Sequence, residues 1–123
     1  MKYLAIFYLL SVALSLAEEP PGKSALGHFL RRVEAKSRDY KSDGSLVIVA
    51  FGDSITMGAT AKDTLEPDAV YHARLKNMLE QRYPRAVFSV INSGIGGDTA
   101  ADGLRRIDRD VIRFQPDLVL VAF

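Results

Sequence analysis

The chain has 123 residues, of which 48% are hydrophobic and 25% are charged, as in an ordinary single soluble domain. Its formal net charge of +1 gives no reason to expect a partner that is a nucleic acid. Because the sequence has no cysteine, disulfide frameworks and thiolate metal sites are also excluded.

The first predicted segment is a cleavable secretory signal over residues 1–17. Lys2 supplies a positive charge, an apolar stretch follows from Tyr3 to Leu14, and Ser15-Leu16-Ala17 places small residues where a signal peptidase cleaves. The apolar stretch is short for a transmembrane helix, which needs about 20 residues, although an uncleaved anchor or a buried N-terminal helix is the alternative. We therefore expect a secreted or periplasmic, extracytoplasmic protein with no stable membrane insertion after cleavage.

Residues 18–45 are predicted to be a polar lead-in with one peripheral helix. Apolar residues recur at helical spacing from Leu26 to Val33, and we expect the helix to extend to about Lys36. His28 lies in this helix. We interpret it as an exposed or half-buried helix residue rather than a catalytic base, since no neighbouring group would orient the imidazole.

The first predicted strand is an unbroken apolar run, Val47 to Phe51, that ends in Gly52-Asp53-Ser54. Such a run is typical of a strand that is buried on both faces in a parallel sheet covered by helices. Functional groups in open α/β sheets gather beyond the carboxyl ends of the strands. Ser54 therefore lies where a nucleophile would be placed.

The second predicted unit is a helix from Ala69 to Arg82, capped by Asp68, and a strand from Ala86 to Ile91. The inner stripe of the helix is predicted to consist of Val70, Leu75, Met78 and Leu79. His72 is interpreted as a surface or packing histidine. The residues from Asn92 to Thr99 are predicted to form the loop beyond the strand.

The third predicted unit begins with a capping box made by Thr99 and Asp102, and its helix runs to about Phe114. The apolar residues that this helix is predicted to bury lie three or four positions apart: Leu104, Ile107, Val111 and Phe114. Its charged residues are interpreted as a solvated face: Arg105, Arg106, Asp108, Arg109 and Asp110. A third buried strand follows from Leu118 to Phe123.

The order β-α-β-α-β with short connections, over residues 46–123, predicts an α/β fold. Right-handed crossovers would place a parallel sheet between two helical layers, in a three-layer αβα arrangement.

The chemistry that suits this arrangement is acyl transfer. A serine nucleophile needs a base, and the oxyanion that it creates needs hydrogen-bond donors. Gly52 permits a tight turn at the strand end, and the N–H of Ser54 at the start of a turn or helix is a candidate donor. Gly94, Gly96 and Gly97 expose backbone amides at the end of the next strand, which is a second source of donors.

The segment Gly52 to Thr56 after a hydrophobic strand resembles block I of the SGNH hydrolases, also called GDSL esterases/lipases. The segment Asn92 to Thr99 resembles their block II. The resemblance covers about residues 46–123. It implies the flavodoxin-like SGNH fold and a serine esterase or lipase that cleaves carboxylic esters through an acyl-serine intermediate, without a metal or cofactor.

The resemblance also implies roles for individual residues. Ser54 would be the catalytic nucleophile and, through its N–H, an oxyanion-hole donor. Gly97 would be the second donor through its N–H, and Gly52 and Asp53 would support the nucleophile turn.

The third predicted strand resembles the one that leads into block III of the family, whose asparagine supplies a third oxyanion donor. A late Asp-x-x-His block supplies the base and its orienting carboxylate. The sequence ends at Phe123, before both blocks. We expect a fold truncated after the third strand, an unpaired strand edge that favours aggregation, and little or no activity in the 123 residues alone.

The resemblance implies that the substrate is a small-molecule, polysaccharide or lipid ester, and export favours an acyl group on carbohydrate or lipid. Two other classes stay open. The segment Gly94 to Gly97 before a helix could bind phosphate or a nucleotide, but Asp98 would repel phosphate and Thr99 lies where the dinucleotide fingerprint has Gly or Ala. The other class is a non-catalytic binding protein with the same fold.

Overall fold

A computed structural model describes residues 24–41 and 44–123 of the chain. The helices and strands are α1 Ala25–Arg38, β1 Leu46–Gly52, α2 Ser54–Met57, α3 Tyr71–Arg82, β2 Phe88–Gly94, α4 Ala100–Asp110, a 3-10 helix Ile112–Phe114 and β3 Leu118–Ala122. The predicted signal segment, 1–17, lies outside the described residues. Among the helices described, none has the length and apolar character needed to cross a membrane.

The strands form a parallel sheet in the order β2-β1-β3. The apolar run of β1 takes the centre, where both of its edges are paired and both of its faces are covered. Alternate residues of β1 point to opposite faces, as the period of two in a strand requires. The predicted α/β fold, with a parallel sheet between helical layers, is confirmed.

One face of the sheet packs against α1 and α3. Leu46 and Ile48 of β1 are buried together with Phe29 and Val33 of α1, and Leu79 of α3 packs against the same cluster. The lead-in helix therefore contributes two fully or nearly fully buried side chains to the core. The predicted division between residues 18–45 and 46–123 stays a prediction.

The start of α3 differs from the prediction. The helix begins at Tyr71, and Val70 holds the N-cap position without a side-chain cap. Asp68 does not cap it, because the chain before the helix is folded into a turn closed by the Ala69 N–H and the Glu66 carbonyl, 3.1 Å apart. Met78 is exposed rather than part of the inner stripe.

The other face of the sheet packs against α4 and the 3-10 helix. Val49 and Phe51 are buried there with Val111, and Ile107 packs against them. The predicted capping box is confirmed, since the Thr99 hydroxyl accepts from the Asp102 N–H and the Asp102 carboxylate accepts from the Thr99 N–H.

Three predictions for this helix are wrong. Leu104, predicted to be buried, is 71% exposed, and Arg106, predicted to be solvated, is only 8% exposed. The face of α4 that meets the sheet contains Gly103, which lies against Phe123, and Ile107, which packs against Val49 and Phe51. Arg106 borders this face on the side of the strand ends. The helix also ends at Asp110, earlier than predicted.

Strand β2 extends further than predicted. Asn92, Ser93 and Gly94 were predicted to lie in a loop, but they pair in register with Ala50, Phe51 and Gly52 of β1. The pairing brings the ends of β1 and β2 to the same level. This register determines how close the two motif-bearing segments lie.

Candidate active site

The candidate site lies where all three strands end. Gly52 is paired with Gly94 on one side and with Ala122 on the other. The segments that follow β1 and β2 therefore leave the sheet side by side.

Ser54 is the first residue of α2, directly beyond the central strand. Asp53 is the N-cap, and its carboxylate accepts from the Ile55 N–H at 2.9 Å. The Asp53 N–H donates to the carbonyl of Ala122 at 3.1 Å, so the end of β3 also holds this segment. We call Gly52 to Ser54 the Ser54 turn.

Gly52 has no space for a side chain. A Cβ at this position would collide with the Ala122 carbonyl and with the hydroxyl of Thr56. Thr56 is fully buried; its hydroxyl lies 3.0 Å from the Tyr71 hydroxyl, and its carbonyl lies 3.0 Å from Nε2 of His72. The Ser54 turn is thus packed from behind by α3 and β3.

Residues Ile95 to Asp98, here called the glycine loop, follow β2. The loop is tied to the Ser54 turn because the Ile95 N–H donates to the carbonyl of Gly52 at 3.0 Å. A Cβ on Gly96 would come 4.0 Å from the Cβ of Ser54. Gly97 has φ of 81°, a conformation that strains other residues, and a Cβ there would meet open space. The loop therefore presents backbone beside the serine.

Arg106 connects these segments from α4. Its guanidinium donates to the Gly52 carbonyl, the Ser93 carbonyl and the carboxylate of Asp98, at 2.9, 2.9 and 2.6 Å. It also donates to Asp110 one turn along the helix, at 2.9 Å.

A family model described as the GDSL-like lipase/acylhydrolase family matches residues 50–123, which is more than half of the chain. The chain belongs to this family. The matched range contains both segments on which the resemblance rests, and the recognition made from sequence is confirmed.

Solved structures of esterases are similar to this GDSL-like chain. A two-domain esterase (CEX) active on acetylated mannans is 30% identical, with a TM-score of 0.63 over 78% of this chain and 24% of that one. A variant of Axe2, an acetyl-xylooligosaccharide esterase from Geobacillus stearothermophilus, is 31% identical, with a TM-score of 0.51 over 64% and 39%.

The lipase/acylhydrolase from Enterococcus faecalis is 34% identical, with a TM-score of 0.50 over 62% of this chain and 37% of that one. The GDSL-like chain thus spans between about a quarter and two fifths of the length of these three structures. A search among curated proteins gave no match.

Of the predicted site residues, the GDSL-like chain brings Gly52, Asp53, Ser54 and Gly97 to one edge of the sheet. In the part of the chain that the structure describes, the Ser54 hydroxyl has no hydrogen-bond partner. As the first residue of α2, Ser54 also has no acceptor for its N–H within the helix. The catalytic and oxyanion-hole roles of Ser54 and Gly97 stay predictions.

Neither histidine of the sequence is placed as a partner of Ser54. His28 is exposed on α1. His72 is buried, and its Nε2–H donates to the Thr56 carbonyl, which confirms the interpretation of His72 as a packing histidine.

Two ionisable side chains near the strand ends, Asp110 and Tyr71, have shifted pKa values. Hydrogen bonds from Arg109, and to a lesser extent from Arg106, lower the pKa of Asp110 to about 2, from an ordinary value of 3.8. Burial raises the pKa of the Tyr71 hydroxyl above its ordinary 10.0. At neutral pH, Asp110 is therefore ionised and Tyr71 is neutral. Within the described residues, no three carboxylate or imidazole groups come together as a metal site.

Two buried residues of this region, Arg106 and Thr56, were not predicted from sequence to belong to it. Arg106 gave one usable signal, because position 106 directly precedes Ile107 and lies one turn after Gly103, on the border of the inner stripe. Thr56 gave no signal of burial beyond its place three residues after an N-cap.

Proposed function

We propose that this protein is a carboxylic ester hydrolase in which Ser54 is the nucleophile. Membership of the GDSL-like lipase/acylhydrolase family supports the reaction class. The observation that carries the assignment to this residue is the position of Ser54, at the end of the central strand and beside the glycine loop, with its hydroxyl unengaged among the described residues.

In the proposed reaction, Oγ of Ser54 attacks the acyl carbonyl carbon and passes its proton to a base. The base is a histidine supplied from outside the 123 residues. The oxyanion of the tetrahedral intermediate accepts hydrogen bonds from the N–H groups of Ser54 and Gly97. The alcohol leaves with the proton held by the base. Water then attacks the acyl-serine, which releases the carboxylate and restores the hydroxyl.

The open surroundings of Gly97 support its proposed role. No heavy atom from another part of the described chain comes within 4 Å of a Cβ built on this residue, so a substrate oxygen can approach the backbone there. Ile55, next to the nucleophile, is 63% exposed and offers an apolar surface to an acyl group.

The proposed substrate is an acyl group, most simply acetyl, esterified to a carbohydrate. Two of the similar structures support this choice, one active on acetylated mannans and one an acetyl-xylooligosaccharide esterase. An acyl lipid is the second substrate class of the same proposal. Export through the signal over residues 1–17 would give the enzyme access to extracellular polysaccharide.

The experiment that tests the function is acetate release from acetylated mannan by the protein expressed from its complete gene. We expect Ser54→Ala to lower kcat by at least about 1,000-fold, since the nucleophile is lost. Ser37→Ala is the matched control; the Ser37 hydroxyl donates to the Val33 carbonyl within α1 and takes no part in the site.

An organophosphorus ester should label wild-type protein and the Ser37→Ala variant at Ser54, as shown by peptide mass. Equal activity of Ser54→Ala and wild type, or labelling at a different serine, would remove Ser54 from the mechanism. A folded wild-type protein that neither hydrolyses esters nor reacts with the label would favour the non-catalytic alternative.

A further inference from the structure

Arg106 is a charged residue inside the molecule that no predicted role accounts for. Its side chain is 8% exposed, and the guanidinium lies 4.5 Å from the centre of the Phe51 ring. The neighbouring arginines on α4 differ: the side chains of Arg105 and Arg109 are 72% and 62% exposed. Burial of an arginine requires acceptors for its N–H groups, and the identity of these acceptors indicates what the residue does.

The acceptors of Arg106 belong to the two segments that form the candidate site. The Gly52 carbonyl begins the Ser54 turn. The Ser93 carbonyl lies just before the glycine loop, and the Asp98 carboxylate lies at its end. One rigid, planar group therefore holds the nucleophile segment and both ends of the proposed oxyanion segment at hydrogen-bond distance.

The same Gly52 carbonyl also accepts from the Ile95 N–H of the glycine loop. A shift of the Arg106 guanidinium would thus move both the Ser54 turn and the glycine loop. Gly97 lies in the loop between Ile95 and Asp98, so its N–H is held at a position relative to Ser54 that depends on this network.

We propose that Arg106 is a positioning residue that sets the location of the Gly97 N–H relative to the Ser54 hydroxyl. The proposal rests on the proposed function, because it assigns the geometry of that reaction's oxyanion site to a residue that does not touch the substrate. Asp98 is the second positioning residue, since its hydrogen bond to the guanidinium fixes the end of the glycine loop. Asp110 holds the guanidinium from the helix side.

Lysine cannot replace arginine in this role. The guanidinium presents donors from three nitrogen atoms in a fixed plane, and here they reach four acceptors, one each on β1, β2, the glycine loop and α4. The lysine ammonium is a single nitrogen on a flexible chain. It preserves the positive charge between Asp98 and Asp110 but cannot hold both strand ends in one plane.

The test compares Arg106→Lys with Arg105→Lys in the protein expressed from its complete gene. Steady-state kcat and KM are measured on a soluble acetyl ester, and the concentration of competent sites is obtained by titration with an organophosphorus ester. We expect Arg106→Lys to lower kcat per titrated site by about 10- to 100-fold, the range for a misplaced catalytic geometry. KM should stay within about twofold, since oxyanion donors act on the transition state. Arg105→Lys should match wild type.

Normalisation to titrated sites separates positioning from folding. If Arg106 only maintained the fold, Arg106→Lys would contain fewer competent sites, but each would turn over at the wild-type rate. That result would overturn the proposal.

Asp98→Asn provides a second variant if Arg106→Lys does not fold. This variant retains Arg106 and its hydrogen bonds to the Gly52 and Ser93 carbonyls. It weakens only the interaction between the guanidinium and residue 98 of the glycine loop. We expect a kcat loss per titrated site of about three- to tenfold. A wild-type value would overturn the proposal.

The Ser54→Ala variant distinguishes the two levels of the hypothesis. If Ser54→Ala remains as active as wild type, the proposed function fails first. If Ser54→Ala is inactive while Arg106→Lys and Asp98→Asn turn over like wild type, only the role of Arg106 fails.

Discussion

On one face of the sheet, Leu46 and Ile48 pack against Phe29 and Val33 of α1, and the cluster is formed by apolar side chains. On the other face, the apolar cluster around Val49 and Phe51 gives way, at the carboxyl ends of the strands, to the buried guanidinium of Arg106 and its acceptors. The same strands thus meet two kinds of partner.

The difference separates stability from geometry. Apolar contacts depend on area and are tolerant of small shifts, whereas hydrogen bonds from a guanidinium depend on distance and direction. The apolar contacts of the first face hold the sheet together, and the Asp117 carboxylate, which is bound to Arg32 of α1, fixes the N–H of Val47 near the amino end of β1, far from the candidate site. The polar end of the other face fixes the carbonyls of Gly52 and Ser93, from which the candidate site extends.

The buried hydrogen bonds of Arg106 are tested by the substitution from which we expect the largest effect on stability. Arg106→Ala should lower the free energy of unfolding by about 3–5 kcal/mol, because Asp98 loses its partner while it remains half-buried. Arg105→Ala, in which an exposed pair with Asp102 is lost, should change it by less than about 1 kcal/mol. Urea unfolding of both variants, in the protein from its complete gene, measures the difference. If Arg106→Ala lowered the free energy of unfolding as little as Arg105→Ala, the buried network would add nothing to stability.

The apolar face is tested by Leu46→Ala. Leu46 is 1% exposed at the amino end of β1, and its truncation should cost about 2–5 kcal/mol of unfolding free energy. Because this end of the strand is remote from the candidate site, kcat per titrated site should remain at the wild-type value. A fall in kcat per site as large as that of Arg106→Lys would remove the distinction between the two faces.

The smallest expected effect concerns pH. The pKa of Asp110 is lowered to about 2, so its carboxylate stabilises the folded state above its ordinary pKa of 3.8, and this contribution is lost as the pH falls toward 2. The difference in unfolding free energy between wild type and Asp110→Asn should therefore be constant above about pH 5 and should shrink between pH 4 and 2. A difference that does not vary over that interval would contradict the assignment. Leu46→Ala serves as the control without a pH-dependent difference.

The strands of this protein are largely predictable from sequence, and the reason is local. The run from Val47 to Phe51 is apolar at every position and rich in β-branched residues, which is typical of a short strand covered on both faces. The end of β2 was not predictable in the same way. Asn92, Ser93 and Gly94 are poor strand formers, and only their pairing with β1 makes them strand.

The location of the candidate site is also predictable. Parallel strands end at one edge of a sheet, so the segments after Gly52 and after β2 had to lie near each other. Their actual distance depends on the register of β1 and β2, and no pattern in either segment specifies that register.

Arg106 shows why the rest could not be predicted. In the sequence it belongs to a patch of charges of both signs, for which a solvated face is the usual outcome. Two of its four acceptors are backbone carbonyls of β1 and β2, and a carbonyl has no signature in an amino-acid sequence. The error in Leu104 has the same origin, because the position of the inner stripe was inferred from apolar residues alone.

The hydrogen bond between the Asp53 N–H and the Ala122 carbonyl has a consequence for the order of events during synthesis. The central strand is translated first, yet it is paired on both sides by strands that are translated later. Contacts between distant parts of a chain form slowly, and they cannot form before both parts have left the ribosome. The hydrogen bond that ties the Ser54 turn to β3 can therefore form only after β3 has been translated. The serine is translated early and is brought into its final position late.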